Sequence, residues 1–501
     1  MNRRKIAYDL GVILMTEAAL MVLPLIVLVI YKEWRMLPSF IIPVAALIVT
    51  GKILAWKKPK RENIYAKEGF MIVSLAWTLM STFGALPFVI SKSIDKGNFI
   101  RSFVDAFFET VSGFTTTGST VLGEIASLPR CILFWRAFTH FIGGMGILVF
   151  VIAIMPKAEG STIHIMRAEV PGPTVGKLVS KIGASARILY AIYSGMTLLM
   201  MIMLLAGGMP LFDSITNAFA TAGTGGFCCL NNSIEGYYSV AGCNAVYCEW
   251  VIGVFMMLFG INFNLYYYLL IKQGKLVLKD EELKWFLGII LGATFIITTD
   301  LTFASDIVID LPDAVRQAFF QVNAFISTTG FSSVNFDLWP TVSKAVLVFL
   351  MFVGGCGGST GGGLKVARVI ILIKNSIRSI KKAANPRRVE TVRVNGRPVD
   401  EDTVTGVLGY FGLFMILGII SFFIVSIDPY TADLTTGSTA VFTCLNNVGP
   451  GFNLVGPTEN FGEFSILSKL VLSFDMLAGR LELFPMLLLF SKIGSGKKKY
   501  L

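Results

Sequence analysis

The chain alternates long apolar runs with short polar ones. Ten runs are apolar enough to cross a bilayer as helices, near residues 11–31, 38–56, 69–91, 131–155, 185–207, 246–272, 284–304, 341–375, 403–427 and 465–490. A spanning helix takes about 20 apolar residues, and a stretch of roughly 10–14 is re-entrant or interfacial. Four stretches of this shorter kind lie between paired runs among the last eight. The first, Asp105–Ser119, reads DAFFETVSGFTTTGS. It predicts a short helix that dips into the membrane and returns through Thr115 to Gly118. Irregular backbone at that depth is tolerated only where protein or a water-filled cavity surrounds it.

Aligned on a glycine, the four stretches repeat. The windows ending at Gly118, Gly226, Gly330 and Gly449 read DAFFETVSGFTTTG, DSITNAFATAGTGG, QAFFQVNAFISTTG and TGSTAVFTCLNNVG. A fixed period of roughly 110 residues marks one structural unit used repeatedly. The expected fold is an all-α integral membrane protein. It comprises four helix–pore-loop–helix repeats in a pseudo-fourfold arrangement about the membrane normal, plus an N-terminal two-helix hairpin. The boundaries read as 1–66 for the hairpin, 67–160 for repeat one, and 161–280 for a cytoplasmic link with repeat two. Repeat three with a glycine-rich intramembrane loop follows at 281–378, then a basic link, repeat four and the tail at 379–501.

Composition agrees. The 501 residues are 54% hydrophobic and 15% charged, with a mean hydropathy of +0.70, whereas soluble domains carry roughly 25% charged residues. The net charge of +11 would point to nucleic acid in a soluble protein. Here it gathers in Arg3–Lys5, Lys57–Arg61, Lys157–Lys181, Lys272–Lys279, Lys365–Arg397 and Lys497–Lys499, the segments that the positive-inside rule assigns to the cytoplasm. Asp300, Asp306, Asp310 and Asp313 make one intervening loop acidic. Both termini therefore read as cytoplasmic, and no nucleic acid is expected. The apolar run after Arg3–Lys5 lacks a small-x-small cleavage site and reads as a retained first helix.

The chemistry lies in the loops. Backbone carbonyls can replace an ion's hydration shell, and glycine adopts conformations that turn a carbonyl inward without a Cβ clash. The candidate ion ligands are Thr116, Thr117 and Gly118; Thr224, Gly225 and Gly226; Thr328, Thr329 and Gly330; and Asn447, Val448 and Gly449. A second feature is GGCGGSTGGG within the run 341–375. Each glycine costs a helix about 1 kcal/mol relative to alanine, so Gly354, Gly355, Gly357, Gly358, Gly361, Gly362 and Gly363 predict a break and a flexible intramembrane loop. Third, Arg480 stands with Asp475 and Glu482 in the last run, where charge is costly and faces a cavity or a partner. Glu109 either attracts cations or bonds the loop backbone. His140 and His164 read as structural. Cys228, Cys229, Cys243 and Cys248 fall on the outer side, where small apolar fillers are favoured over a disulfide.

These residues resemble the membrane subunit of Trk-type potassium transporters, the superfamily that includes the KtrB and plant HKT proteins. The likeness covers nearly the whole chain. It is carried by SGFTTTGST (112–120), GTGGF (223–227), STTGFSS (327–333) and NNVGPGF (446–452), and equally by FWRAFTHFIGGMGI (134–147), MRAEVPGPT (166–174), GGCGGSTGGGLKVAR (354–368) and AGRLELFP (478–485). The extra hairpin favours the TrkH branch. The resemblance implies a homodimer in a bacterial cytoplasmic (inner) membrane, with four loops holding K+ and a gate at Gly354–Gly363 with Arg480 beside it. It also implies a cytoplasmic TrkA-like nucleotide-binding regulatory subunit. No organic cofactor is expected. Sodium-preferring plant members carry Ser in place of the first-loop glycine, which here is Gly118; Gly223 is a mild departure from the commoner Ser. Anionic membrane lipid alone would also account for the basic block. Rival readings are sodium or sodium-coupled potassium transport through the same pore, and a membrane-embedded enzyme or scaffold. No HExxH motif, Ser–base pair or intramembrane acid–His cluster supports an enzyme.

Overall fold

The computed structural model describes residues 2–59, 66–95, 97–146, 182–304, 309–431 and 433–490. The expectations for Lys157–Lys181, Pro171–Pro173, His164, Asp306 and Lys497–Lys499 lie outside them. Among the described residues the fold is helical, with one two-stranded hairpin pairing Arg393–Val394 with Arg397–Pro398.

Two helical segments, α1 (Arg3–Leu20) and α2 (Val22–Ile30), form the first long rod and pack against α3 (Leu37–Ala55). This is the N-terminal hairpin. Next come α4 (Ala66–Gly84), α5 (Leu86–Ile90), the short α6 (Phe99–Phe114) and α7 (Arg130–Gly144). The second unit has α8 (Ile182–Ala206), the short α9 (Leu211–Ala222), then α10 (Ala245–Phe259) and α11 (Phe263–Leu270). The third has α12 (Glu281–Thr299), the short α13 (Leu311–Ile326), α14 (Thr341–Val353) and α15 (Val366–Ala384). The fourth has α16 (Glu401–Val425), the short α17 (Leu434–Asn446), α18 (Ile466–Arg480) and α19 (Phe484–Phe490).

Local chemistry sets many of these starts. Asn98, Asn244, Asn262, Asp280, Asp400, Asp433 and Ser465 each cap a helix by accepting from a backbone N–H in its first turn. Pro129, Pro210 and Pro340 stand immediately before α7, α9 and α14.

The four short helices, with 16, 12, 16 and 13 residues, are too short to span. Each is walled in the same way. It packs against the helix before it, the helix after it, and one helix from another unit: α18 for α6, α7 for α9, α10 for α13 and α14 for α17. The outer helices present bare apolar side chains instead, among them Phe303, Leu291, Phe295, Phe423 and Ile53. Water would not tolerate such a belt, whereas lipid suits it.

The sequence predicts ten spans, of which the run 341–375 alone is expected to break, at Gly354–Gly363. Among the described residues, six helical segments are long and apolar enough to cross a membrane, and α10 with α11 makes a seventh only if counted as one span bent by 93°. The run 246–272 is therefore broken at Gly260–Asn262, a correction. Its cause is distant in sequence: Cys356 N–H donates to the Gly260 carbonyl at 2.9 Å and Phe263 N–H to that of Gly358 at 3.1 Å. The run 465–490 is likewise interrupted between Arg480 and Phe484, where Glu482 and Leu483 adopt positive φ.

Candidate functional site

The four short helices end identically. At the C-termini of α6, α9, α13 and α17, the N–H groups of Thr117, Gly225, Thr329 and Val448 reach back to the carbonyls of Ser112, Ala220, Ala324 and Thr443 at 2.8–2.9 Å. Thr116, Thr224, Thr328 and Asn447 donate to the carbonyl three residues back. This is the Schellman closure, whose pivot residue is left-handed and usually Gly or Asn. Asn447 fits at φ 56°, but the other three pivots are threonines at φ 56°, 54° and 60°. A β-branched residue held there stores about 1–3 kcal/mol, the kind of strain that clusters at functional sites. Two residues on, Gly118, Gly226, Gly330 and Gly449 are again left-handed, at φ 87°, 77°, 72° and 108°.

The loops close on one another in a ring. A Cβ on Gly118 would stand 2.1 Å from the Gly225 carbonyl oxygen, one on Gly226 2.0 Å from that of Thr329, one on Gly330 1.9 Å from that of Val448, and one on Gly449 2.7 Å from that of Thr117. Only glycine permits that approach. All twelve residues expected as ion ligands thus lie in one ring. Side chains brace it from behind: Thr117 Oγ1 pairs with Thr115 Oγ1 at 2.8 Å and accepts from Asn447 Nδ2 at 2.9 Å, and Thr329 Oγ1 pairs with Ser327 Oγ at 2.7 Å. On one side the four glycines line the floor of an open cavity of about 110 Å³, whose polar wall includes Ser119, Thr120, Asn231, Ser332 and Asn460.

On the other side lies the glycine-rich segment. α14 stops at Val353 and α15 begins at Val366, and the intervening chain packs flush against the loops. A Cβ on Gly361 would meet the Ser327 carbonyl at 2.8 Å, and one on Gly362 that of Asn446 at 2.4 Å. Gly354, Gly358 and Gly363 have φ of 71°, 75° and 75°. A Cβ on Gly355 would stand 2.9 Å from Ser359 Oγ. Gly357 N–H donates to Glu282 Oε1 at 2.6 Å. Arg480 reaches this segment from α18. Nη1 donates to the Thr360 carbonyl at 2.7 Å, and Nη2 to those of Gly143 and Gly144 at 2.6 and 2.7 Å.

The other charges are distributed differently from a single Arg480 cluster. Glu482 pairs with Arg368, and Asp475 accepts from Ser421 Oγ at 2.8 Å. Lys365 and Arg368 do not belong to the exposed basic block; both are buried, and Lys365 Nζ donates to the Gly361 carbonyl. Glu109 bonds the loop backbone: it accepts from Val121 N–H at 2.9 Å and pairs with Arg136 at 2.7 Å. Sequence reasoning gave no role to Arg136 or Glu282, and it placed Lys365 in the basic cytoplasmic block. For Lys365 a signal existed, a lysine two residues after the last glycine of the run.

A belt of lipid-facing helices around a ring of strained, inward-packed backbone defines an integral membrane transport protein. Residues 36–499 match the family model of TrkH, described as cation transport protein, and the chain belongs to the TrkH family. It is 34% identical to the Trk system potassium uptake protein TrkH of Salmonella typhimurium, over 98% of this chain and 99% of that protein. Against the Trk system potassium uptake protein TrkG of Escherichia coli K12 the identity is 32%, over 97% and 98%. The crystal structure of the potassium transporter TrkH from Vibrio parahaemolyticus superposes with a TM-score of 0.85 at 29% identity, over 98% of this chain and 99% of that one.

Proposed function

We propose that the chain takes potassium into the cell across the bacterial cytoplasmic membrane, through a pore on the axis of the four loops. One observation carries the reading: four glycines at matched offsets, each left-handed, each pressed on the next loop's carbonyl. The repeat division is pseudo-fourfold, with the N-terminal hairpin outside it. Potassium sheds water at carbonyls of Thr116–Gly118, Thr224–Gly226, Thr328–Gly330 and Asn447–Gly449. Gly354–Gly363, tied by Arg480, is the gate beneath them.

The relatives are named as members of a Trk system, which implies a further component. Lys381, Lys382, Arg387 and Arg388 are exposed and offer that component a cytoplasmic docking face. We assign it to a TrkA-like nucleotide-binding subunit beneath a homodimer whose termini are cytoplasmic.

The test is growth of a potassium-uptake-deficient bacterium on limiting potassium, with this chain supplied alone and with the regulatory subunit. Rescue that Gly330→Ser abolishes supports the pore, and dependence on the subunit supports gating from the cytoplasm. Failure of both, with membrane insertion verified and sodium flux present, would move the assignment to sodium.

A further inference from the structure

His140 lies buried one turn from the C-terminus of α7, with its imidazole between the first and second loops. Nδ1 is 2.7 Å from the Gly113 carbonyl oxygen, in the last turn of α6. Nε2 is 3.3 Å from the backbone nitrogen of Phe227, the residue directly after Gly226. A carbonyl only accepts and a backbone N–H only donates, so the ring carries its proton on Nδ1 and accepts at Nε2. One side chain thereby fastens the end of the first short helix to the far side of the second loop.

The second loop is the one that needs such a brace. At the position before the glycine, the first and third loops carry Thr117 and Thr329, whose hydroxyls are held by neighbouring side chains. The fourth carries Val448 next to Asn447, whose amide spans to Thr117 and to the Met476 carbonyl at 2.9 Å each. The second has Gly225 and no side chain at all. Its place is taken by imidazole: a Cβ on Gly225 would lie 2.3 Å from His140 Nδ1. A Cβ on Gly223 would lie 2.2 Å from the His140 carbonyl oxygen, so the chain at Gly223 also packs directly on α7. The Phe227 ring packs 4.1 Å from the imidazole, centroid to centroid.

We infer that His140 is the positioning residue of the second loop, holding it in register with the first by hydrogen bonding at both ring nitrogens rather than by bulk. The inference deepens the pore reading and rests on it for its effect on transport.

Two measurements test it. The chain has two histidines, so His164→Asn in ¹⁵N-histidine-labelled protein in bilayers leaves His140 as the single imidazole signal. Nδ1–H with an unprotonated Nε2 is the expected tautomer; Nε2–H overturns the inference, whatever the transport assays give. The second measurement is potassium and sodium flux in proteoliposomes for His140→Gln and His140→Phe. A glutamine amide offers one donor and one acceptor and should keep the discrimination between the two ions. Phenylalanine fills the space without either bond and should lose about tenfold of it. Retention by Phe and loss by Gln would assign His140 to packing and sink the proposal. If the unaltered chain carries no potassium-selective flux, the pore reading fails separately, and the tautomer still decides the brace.

Discussion

Arg480 donates to the Thr360 carbonyl at 2.7 Å, joining the last long helix to the middle of the glycine-rich segment. Two further bonds end on Gly143 and Gly144, at the C-terminus of the helix that carries His140. A hydrogen bond to a charged group contributes about 1.5–3 kcal/mol. Arg480→Ala removes these three, so potassium flux without any regulatory subunit should rise by at least about tenfold. Rubidium uptake into proteoliposomes measures this, and an unchanged rate with normal insertion would remove Arg480 from the proposed gate.

The ring predicts a ranking. Cβ clearances at Gly330, Gly226 and Gly118 are 1.9, 2.0 and 2.1 Å against 2.7 Å at Gly449. Serine at any of the first three forces backbone apart and should reduce potassium-limited growth by at least about tenfold. Gly449→Ser should be the mildest. Growth curves over graded potassium give the order, and a severe Gly449 variant beside a silent Gly330 one would contradict the geometry.

Lys469 and Asp105 form an ion pair of 2.6 Å, and both side chains are fully buried. It ties α18 to α6. Removing one member of such a pair costs about 3–5 kcal/mol because the other charge is stranded. Asp105→Asn and Lys469→Met should each lower the unfolding temperature in detergent markedly. The double variant should recover part of the loss; strict additivity would mean that the two charges do not depend on each other.

Cys243 Sγ and Cys248 Sγ lie 3.9 Å apart, while Cys228 and Cys229 are buried separately. All are thiols in this structure. Treatment with a copper–phenanthroline oxidant should link the first pair, read as loss of two hydrogens by mass spectrometry and protection from maleimide. Linkage through Cys228 or Cys229 instead would show that this loop rearranges.

The loops were legible in the sequence because their conformation is local. Alignment on one glycine brings Thr116, Thr224, Thr328 and Asn447 to the same left-handed position, since each terminates a short helix in the same closure. The glycine run likewise announces its own break. What could not be read depends on chain far away. Gly260–Asn262 bends a long apolar run only because Cys356 and Gly358 bond to it. Arg368 and Glu482 read as separate features of separate segments, yet they meet. His140 is one histidine on a buried helix, and its role follows from Gly113 and Phe227 lying on either side.

Asn447 and Val448 stand where two other loops have threonines, and Gly225 stands alone in the second. A pore assembled from identical chains must accept every change four times over. This ring belongs to a single chain, so a substitution edits one quadrant and leaves the others as they were. Its tuning can therefore proceed in quarter steps, with asymmetry as the natural outcome, and the four corners are separately addressable by an engineer as they are by evolution.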